Sequence, residues 1–306
     1  MKPERILVTG GAGFIGSHSV EYLLQQGCQV MVLDNLSSGK ITNLDLSHPN
    51  LELLEGDILE FPLMVDLVKN CDAVLHLAAI ASVPESINDP IYTMLVNTQG
   101  LVHVLQAVHV SRKSVRIVYA SSAAVYGDTA HLPCREQQVE TPLSPYALQK
   151  INGEQYASLF AALHGISSLG LRYFNVYGER QDPKSPYSGV ISRFLDLYQQ
   201  GETLTVFGDG LQSRDFIHVS DVARANWLAL QSQQTGVVNI ATGVPETLLA
   251  LIDYIEAAGG KPARREFAPA RAGDIKASYA ATAKATECLD FTASISLKTG
   301  IAQLVG

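Results

Sequence analysis

A glycine-rich turn between an apolar strand and a helix lies almost at the start of this sequence. The run Ile6-Leu7-Val8-Thr9 predicts a buried strand, and Gly10-Gly11-Ala12-Gly13-Phe14-Ile15-Gly16 leads from it into a helical pattern. Glycine at the first position allows a tight turn, at the second it lets the backbone approach a pyrophosphate, and at the third it lets helix and strand pack closely. Because a helix start also offers free N–H groups and a positive dipole end, the pattern predicts a dinucleotide site at Gly10, Gly13 and Gly16.

Short apolar runs continue to alternate with helical stretches along most of the chain. Helical patterns cover residues 16–26, 63–69 and 96–110. Continuous apolar runs suit strands that are buried on both faces, and they occur at residues 6–9, 29–33, 51–54, 73–77, 116–120, 168–172 and 237–240. This order predicts an α/β fold, a doubly wound parallel sheet with right-handed crossovers.

Beyond Tyr173 the alternation loosens, and residues 179–188 are rich in Pro, Asp and Ser. We expect residues 1–175 and 215–242 to form the nucleotide-binding domain. Residues 176–214 and 243–306 would then form a smaller, interleaved substrate-binding lobe.

Composition limits the possible partners of this chain. A formal net charge of −8 over 306 residues disfavours nucleic acid, which needs a basic surface. No apolar run reaches the roughly 18 to 20 residues that span a bilayer, and the first strand begins too early for a signal peptide. The four cysteines are scattered without metal-ligand spacing. We expect a cytoplasmic protein with no metal site and no membrane partner.

An acidic residue follows the second predicted strand, eighteen residues beyond Gly16. A carboxylate at Asp34 can accept hydrogen bonds from both hydroxyls of the adenosine ribose and would repel a 2′-phosphate, which predicts NAD rather than NADP. Asp34 could instead be a simple turn former, and Lys40 leaves some tolerance of NADP open. Asp57 and Ile58, after the third strand, are candidates for contact with the adenine.

A second motif, Ser144-Pro145-Tyr146-Ala147-Leu148-Gln149-Lys150, predicts a helix start with Ser144 as its cap and Pro145 in the first turn. Tyr146 and Lys150 would then lie one turn apart on the same face. A nearby ammonium and a cationic nicotinamide both favour a phenolate, so we expect the pKa of Tyr146 to fall. A serine at the end of the preceding strand could share a hydrogen bond with Tyr146 and the substrate oxygen; Ser122 is the first choice and Ser121 the second.

Together these motifs resemble the extended short-chain dehydrogenases, and among them the nucleotide-sugar 4-epimerases. The resemblance covers nearly the whole chain and includes residues 75–79, 82–86, 172–178 and 214–221. It implies that the tyrosine removes the proton from the sugar O4 while NAD⁺ takes the C4 hydride, and that the hydride returns to the other face of the 4-keto intermediate. Dehydratases and decarboxylases of this group place an acidic residue just after the catalytic Ser or Thr, where this chain has Ala123 and Ala124.

The resemblance also implies further binding residues. For the cofactor they are Phe14, Ile15, Asn35, Gly39, Leu77, Ala78, Ala79 and Phe174. For a UDP-sugar they are Ser82, Ser86, Asn175, Val190, Thr205, Phe207, Arg214, Arg271, Asp274 and Ser278, with Ser122 and Tyr146. Arg214 and Arg271 would hold the diphosphate, and Asp274 the ribose hydroxyls.

One position bears on the sugar. Ser278 falls where glucose-restricted epimerases have a bulky tyrosine beside C2, so the expected reaction interconverts UDP-GlcNAc and UDP-GalNAc. UDP-glucose and, less so, UDP-glucuronate 4-epimerases remain alternatives, as does a non-catalytic NAD-sensing regulator. By analogy we expect a homodimer formed through helices at residues 96–110 and 146–164. Leu101, Leu105 and Val108 form an apolar stripe that would suit this contact, but such a stripe equally serves internal packing.

Overall fold

The computed structural model describes four stretches of the chain, residues 3–138, 142–183, 189–270 and 275–306. Their strands are β1 (Arg5–Thr9), β2 (Gln29–Asp34), β3 (Leu51–Glu55), β4 (Ala73–His76), β5 (Arg116–Ser122), β6 (Ser168–Tyr173), β7 (Asn175–Tyr177), β8 (Leu204–Phe207), β9 (Ser213–His218), β10 (Gly236–Ile240), β11 (Pro245–Thr247), β12 (Arg265–Ala268) and β13 (Ala277–Ser278). Their helices are α1 (Phe14–Gln25), α2 (Phe61–Lys69), α3 (Val83–Asn88), α4 (Pro90–Met94), α5 (Gly100–Ser111), α6 (Pro145–His164), α7 (Val190–Gln200), α8 (Val219–Gln231), α9 (Leu248–Gly259), α10 (Ala283–Leu289) and α11 (Leu297–Val305).

The central sheet is parallel throughout and runs in the order β10-β6-β5-β4-β1-β2-β3. Its seven strands are the seven that the apolar runs predict, so the doubly wound parallel sheet is confirmed. The chain moves outward from β1 through β2 and β3, then returns to place β4 on the other side of β1. Ligands bind at such a switch point, where the carboxyl ends of the strands leave a crevice.

Helices cover both faces of this sheet. Alternate residues of β1 belong to different hydrophobic clusters: Ile6 and Val8 pack on one face, with Val20 of α1 and Trp227 of α8. Leu7 packs on the other face, with the apolar sides of α2 and α5. Because both sides of the strand are buried, its sequence is continuously apolar rather than alternating.

A second region is built from short strands. β9 pairs with β7, β11 and β13, and β8 pairs with β12. A separate cluster fills the space between them and α7, α9 and α11. The division into two domains remains a prediction. Its boundary near residue 215 lies in β9, and α10 packs against β10 and α8 with Leu289 in the central-sheet core.

The apolar stripe on α5 serves internal packing, which is the second of the two uses that the sequence allows. Leu101, Leu105 and Val108 are buried in the core between α2, α5 and the sheet, because internal packing uses the same helical spacing as an interface would. Exposed large apolar side chains include Leu148, Tyr156, Leu159 and Leu163 on the outer face of α6 and Val83, Ile87, Ile91 and Met94 on the neighbouring short helices α3 and α4; on α5, Val110 is exposed. In the described stretches, none of the helices combines the length and apolar character that crossing a membrane requires.

Candidate active site

The glycine-rich turn connects β1 to α1 at the switch point. Gly10 has φ +71°, and a Cβ there would lie 2.7 Å from the backbone nitrogen of Ala78. A Cβ on Gly16 would lie 2.0 Å from the carbonyl oxygen of Gly10, so this glycine lets the helix pack directly on the turn. A Cβ on Gly13 would have only that same oxygen, at 3.2 Å, as a close neighbour. The side of the loop at Gly13 is therefore open to an approaching group, as phosphate binding requires.

Helix α1 begins immediately after Gly13, and no side chain caps it. The carbonyl of Gly13 accepts the N–H of Ser17, while Phe14 and Ile15 form the first turn. No acidic residue occupies this turn. The exposed N–H groups and the helix dipole therefore favour an anion at this end, which fits the diphosphate of a dinucleotide.

The Asp34 carboxylate lies beside this loop at the end of β2. It accepts the N–H of Ala12 at 2.9 Å and that of Leu36 at 2.9 Å. The hydrogen bond from Leu36 is the contact expected if Asp34 is a simple turn former, which was the alternative interpretation of Asp34. Each carboxylate oxygen has a further acceptor position, so both can still receive ribose hydroxyls. The backbone of Gly39 packs against this carboxylate. A Cβ at this position would lie only about 3 Å from the carboxylate oxygens, which is closer than a side chain normally packs.

Lys40 lies next to the same loop, since its backbone N–H donates to the carbonyl of Ala12 at 3.0 Å. Its ammonium, however, forms an ion pair with Asp182 at 2.9 Å. Asn35 and Asp57 are joined side chain to side chain at 3.0 Å, across the ends of β2 and β3. The side chain of Ile58 is buried in the core against Gly100, and its place near the adenine stays a prediction.

On the other side of the turn, Leu77, Ala78 and Ala79 follow β4 and are half-buried. The N–H of Leu77 donates to the carbonyl of Thr9, and the Thr9 hydroxyl bonds the His76 ring at 2.8 Å. Burial lowers the pKa of His76 to about 3, with the nearby Lys150 charge acting in the same direction. His76 therefore stays neutral, and its hydrogen bond with Thr9 holds it at the end of β4.

Ser122 ends β5, and Tyr146 and Lys150 lie at the start of α6. Ser144 caps this helix by accepting the N–H of Ala147 at 3.2 Å, as the motif predicts. The Ser122 hydroxyl lies near enough to that of Tyr146 to lower its pKa. The Lys150 ammonium donates to the carbonyl of Ala120 at 3.0 Å and lies 5.7 Å from the centre of the Tyr146 ring. The structure thus brings together the three groups that the sequence singled out.

The electrostatics of these groups differ from the expectation in one respect. In the protein alone, burial raises the pKa of Tyr146, and the Ser122 hydroxyl opposes that rise only partly. Burial lowers the pKa of Lys150 to about 8, against the raising effect of Glu154. The sequence predicted a lowered pKa for Tyr146; the protein groups do not supply it, so the lowering depends on the positive charge of the bound cofactor.

Ser121, the second choice for the catalytic hydroxyl, is committed to a different contact. It is buried, and its Oγ donates to Glu154 at 2.5 Å. Glu154 also receives two hydrogen bonds from the Arg172 guanidinium, at 2.9 and 2.6 Å. Ser121 points into this ion pair, which leaves Ser122 as the hydroxyl at Tyr146.

Two serines predicted to contact substrate have structural contacts instead. Ser86 is fully buried; its Oγ donates to the carbonyl of Val83 at 2.7 Å and accepts the N–H of Tyr146 at 3.0 Å. Its substrate role is therefore corrected to one of fixing the start of α6. Ser82 is buried and caps α3 by accepting the N–H of Glu85. Phe174 is buried beside Tyr126, with ring centres 6.1 Å apart.

Five of the twelve residues predicted to contact the substrate line one cavity in the second region. Its volume is about 320 Å³. Five of the predicted residues contribute to its wall: Asn175, Val190, Thr205, Phe207 and Arg214. The Asn175 side chain donates to the carbonyl of Asp215 at 3.1 Å, and Thr205 donates to Glu266 at 2.9 Å. The wall combines an aromatic ring, aliphatic side chains, amides and a guanidinium, which suits a base joined to a diphosphate.

Ser278 lies directly opposite Arg214 in the register of β13 and β9. It is half-buried and carries no bulk beyond its hydroxymethyl group. Arg271 and Asp274, predicted to bind the diphosphate and the ribose, lie outside the described residues.

The sequence interpretation missed three polar residues around the site. Glu154 lies one turn beyond Lys150, a spacing that could have signalled it. Gln149 is buried, donates to Thr93 at 2.9 Å and accepts from Asn97 at 2.8 Å. Gln181 lines the cavity, and its side-chain oxygen is buried without a hydrogen-bond partner among the described residues. Nothing in the local sequence distinguishes the last two from surface glutamines.

Comparison with known proteins agrees with this geometry. Residues 6–241 match the family model described as the NAD dependent epimerase/dehydratase family. A protein of Methanocaldococcus jannaschii, provisionally assigned as a UDP-glucose 4-epimerase, is 40% identical over 302 residues, which cover 98% of this chain and 97% of that protein.

Two solved structures superpose closely. The UDP-N-acetylglucosamine 4-epimerase of Methanobrevibacter ruminantium M1, in complex with UDP-N-acetylmuramic acid, has a TM-score of 0.95 at 36% identity, covering 100% of this chain and 98% of that one. The UDP-glucose 4-epimerase of Thermotoga maritima, with UDP-glucose, has a TM-score of 0.93 at 36% identity, covering 98% and 97%. With its glycine turn, uncapped helix start and Asp34 arranged for NAD, this chain belongs to the NAD-dependent epimerase/dehydratase family.

Proposed function

We propose that this nucleotide-sugar 4-epimerase interconverts UDP-GlcNAc and UDP-GalNAc. The observation that carries the chemistry is the placement of Tyr146 and Ser122 side by side, with the Ser122 hydroxyl lowering the pKa of Tyr146 and the Lys150 ammonium beside the ring. Ala123 and Ala124 follow Ser122 in a short 3₁₀ turn, and neither can transfer a proton. A site with one base and no second acid suits reversible oxidation at a single carbon rather than dehydration.

Each residue then has a defined task. Tyr146 takes the proton from the sugar O4 and later returns it to O4. Ser122 holds the sugar O4 by a hydrogen bond. Lys150 keeps a positive charge near the ring and favours its ionised form. When bound, NAD accepts the C4 hydride and gives it back to the opposite face of the sugar. Because the cofactor is regenerated in each turnover, the protein has no need to release it.

The cavity supports a UDP group as the part of the substrate that stays fixed. The Arg214 guanidinium suits diphosphate oxygens, and the Phe207 ring suits a base. The buried oxygen of Gln181 has no donor among the described residues, so an N–H of the ligand would satisfy it. Both the uracil imide and an acetamide supply such a group.

The choice of sugar rests on Ser278. Its register position beside Arg214 sets it near the sugar-diphosphate junction, and its small side chain leaves room for a 2-acetamido group. Removal of bulk excludes nothing, so turnover of UDP-glucose at a lower efficiency is expected. UDP-glucose as the main substrate is the second candidate, since relatives of comparable identity carry that name.

Incubation with UDP-GlcNAc, without added NAD, followed by separation of the sugar nucleotides tests the proposal. We expect UDP-GalNAc to form and kcat/KM to be higher for the acetylated pair than for UDP-glucose. Ser278→Tyr should lower kcat/KM for UDP-GlcNAc at least tenfold and leave that for UDP-glucose within a few-fold. A wild-type preference for UDP-glucose would reject the sugar assignment, and Tyr146→Phe is the inactive control that should still bind NAD.

We also propose that the chain acts as a homodimer through the outer face of α6. Leu159 and Leu163 are 50% and 65% exposed there, and Ile91 on the neighbouring α4 is 70% exposed. Leu148 and Tyr156 continue the same face. A contiguous apolar surface on rigid helices favours a second copy of the same surface, since a twofold axis buries both at once.

A further inference from the structure

The buried ion pair between Glu154 and Arg172 lies directly behind the reacting groups. Tyr146, Lys150 and Glu154 occur at intervals of four residues on α6, so all three lie on its inner face. The side chains of Arg172 and Glu154 are only 8% and 11% exposed, and their closest N···O distance is 2.6 Å. A charge so deeply buried must be fully paired, and each Glu154 oxygen is engaged.

The contacts of Glu154 reach both elements that form the reaction site. Its Oε1 receives the hydroxyl of Ser121, the residue directly before Ser122 on β5. Arg172 is the register partner of Ser121 on β6 and holds both carboxylate oxygens. The carboxylate is therefore fixed in place relative to the end of β5, where Lys150 donates to the carbonyl of Ala120.

We propose that Glu154 is a positioning residue for the epimerase reaction: its carboxylate, one turn further along α6 and held by Ser121 and Arg172, sustains the charge of the Lys150 ammonium. The inference rests on the proposed function only in that Tyr146 and Lys150 carry the reaction. Glu154 touches neither substrate nor cofactor in this role and acts through Lys150.

Other titratable groups in this region do not supply a negative charge that would raise the pKa of Lys150. His76 on β4 stays neutral, because burial holds its pKa near about 3. Burial also raises the pKa of Tyr119 on β5, and that of Tyr126 to about 12. Glu136 lies on the far side of Arg172: its carbonyl accepts from that guanidinium and its carboxylate accepts the N–H of Asn239.

Burial alone would lower the pKa of Arg172, but the hydrogen bonds and charge of Glu154 raise it overall, so Arg172 remains cationic. Glu154 is thus the carboxylate, among the described residues, that opposes the effect of burial on Lys150. Without it, Lys150 would lose its proton at a lower pH. The reaction would then lose its cation, and activity would fall at a lower pH than in the wild type.

The experiment is a pH profile of kcat/KM for the holoenzyme, with whichever UDP-hexose the wild type converts fastest. Glu154→Gln should move the alkaline limb to lower pH by about one unit, so that activity at pH 8.5 relative to pH 6.5 falls about sixfold further. Ser121→Ala is the matched control, because it removes a hydrogen bond from the same carboxylate without removing charge; its limb should stay in place. Glu154→Asp should return the limb toward the wild-type position.

A second readout is independent of turnover. The Lys150 side chain can be titrated by NMR in protein with isotope-labelled lysine, with Lys150→Met to assign its signal. We expect its titration to move to lower pH in Glu154→Gln. Because that variant leaves Arg172 unpaired, Glu154→Gln combined with Arg172→Gln removes both charges and should show a shift in the same direction.

An equal loss of activity at every pH, with the Lys150 titration unmoved, would overturn the inference. So would failure of both the single and the double variant to fold, which would assign Glu154 to stability alone. If the wild type converts no UDP-hexose, the proposed function fails, and the NMR titration still decides the role of Glu154.

Discussion

Replacing Lys150 with methionine should make the folded protein more stable at neutral pH while it removes the charge that the reaction needs. Lys150 is 7% exposed, and its carboxylate neighbour Glu154 is already held by Arg172. Burial lowers the pKa of Lys150 from 10.5 to about 8. The folded state thus binds this proton less tightly than the unfolded state does, and folding at neutral pH carries the cost of a buried ammonium.

The size and sign of this cost follow from linkage. A pKa that is lower in the folded state by about 2.5 units corresponds to about 3 kcal/mol, fully present below pH 8 and lost as the pH rises from 8 to 10.5. Methionine also removes the hydrogen bond to the Ala120 carbonyl, worth about 1 kcal/mol. The net gain should be about 2 kcal/mol at pH 7, or about 4 °C in Tm for a chain of this size.

Urea unfolding of nucleotide-stripped protein at pH 7 and pH 10 measures this difference. Stripping matters because a ligand that binds only the folded state adds its own stabilisation. Lys113→Met is the matched control: that lysine also donates to a backbone carbonyl, of Cys71, but it is more exposed and paired with Asp72, so its loss should give no gain. A Lys150→Met protein that is no more stable than the wild type at pH 7, or that keeps its full gain at pH 10, would refute the reasoning.

Three further outcomes are expected. Gly16→Ala places a Cβ within 2.0 Å of a backbone oxygen and should lower the free energy of unfolding in urea by roughly 1 to 3 kcal/mol. Gly13→Ala, by contrast, should fold normally but retain less NAD. Equal stability of the two variants would contradict this expectation. Asp182→Ala frees the Lys40 ammonium and should raise affinity for NADP a few-fold by fluorescence titration, an effect that salt should weaken; unchanged affinity would show that Lys40 does not reach the ribose. Leu163→Glu should convert a dimer into a monomer in sedimentation velocity without altering the fold, and an unchanged mass would place the subunit contact elsewhere.

The central sheet could be predicted from sequence because its strands are buried on both faces and are therefore apolar without interruption. The cofactor loop could be predicted equally well, because Gly10 and Gly16 are positions where a Cβ would clash with neighbouring backbone atoms. The start of α6 followed from Ser144 and Pro145 for the same kind of local reason. In each case the physical cause lies within a few residues of the signal.

The remainder depends on contacts between distant segments, which local patterns do not encode. Ser86 resembles a substrate ligand in its motif, yet its hydroxyl meets the backbone of Tyr146, sixty residues away. Ser121 and Ser122 are adjacent in sequence, and only the position of Glu154 separates their roles. The sequence of α5 predicted an apolar helix face but not which part of the protein packs against it. In the structure this face packs into the core formed with α2 and the central sheet.

The two faces of α6 constrain which substitutions in this helix the protein can accept. Its inner face presents Tyr146, Lys150 and Glu154 to the reaction, and its outer face presents Leu159 and Leu163 to the surface. If the proposed dimer forms through the outer face, α6 cannot shift to change the subunit contact without also moving the proposed catalytic groups on its inner face. Selection on partner contacts would therefore be constrained by turnover, and a substitution on the outside could be detected first as a slower reaction.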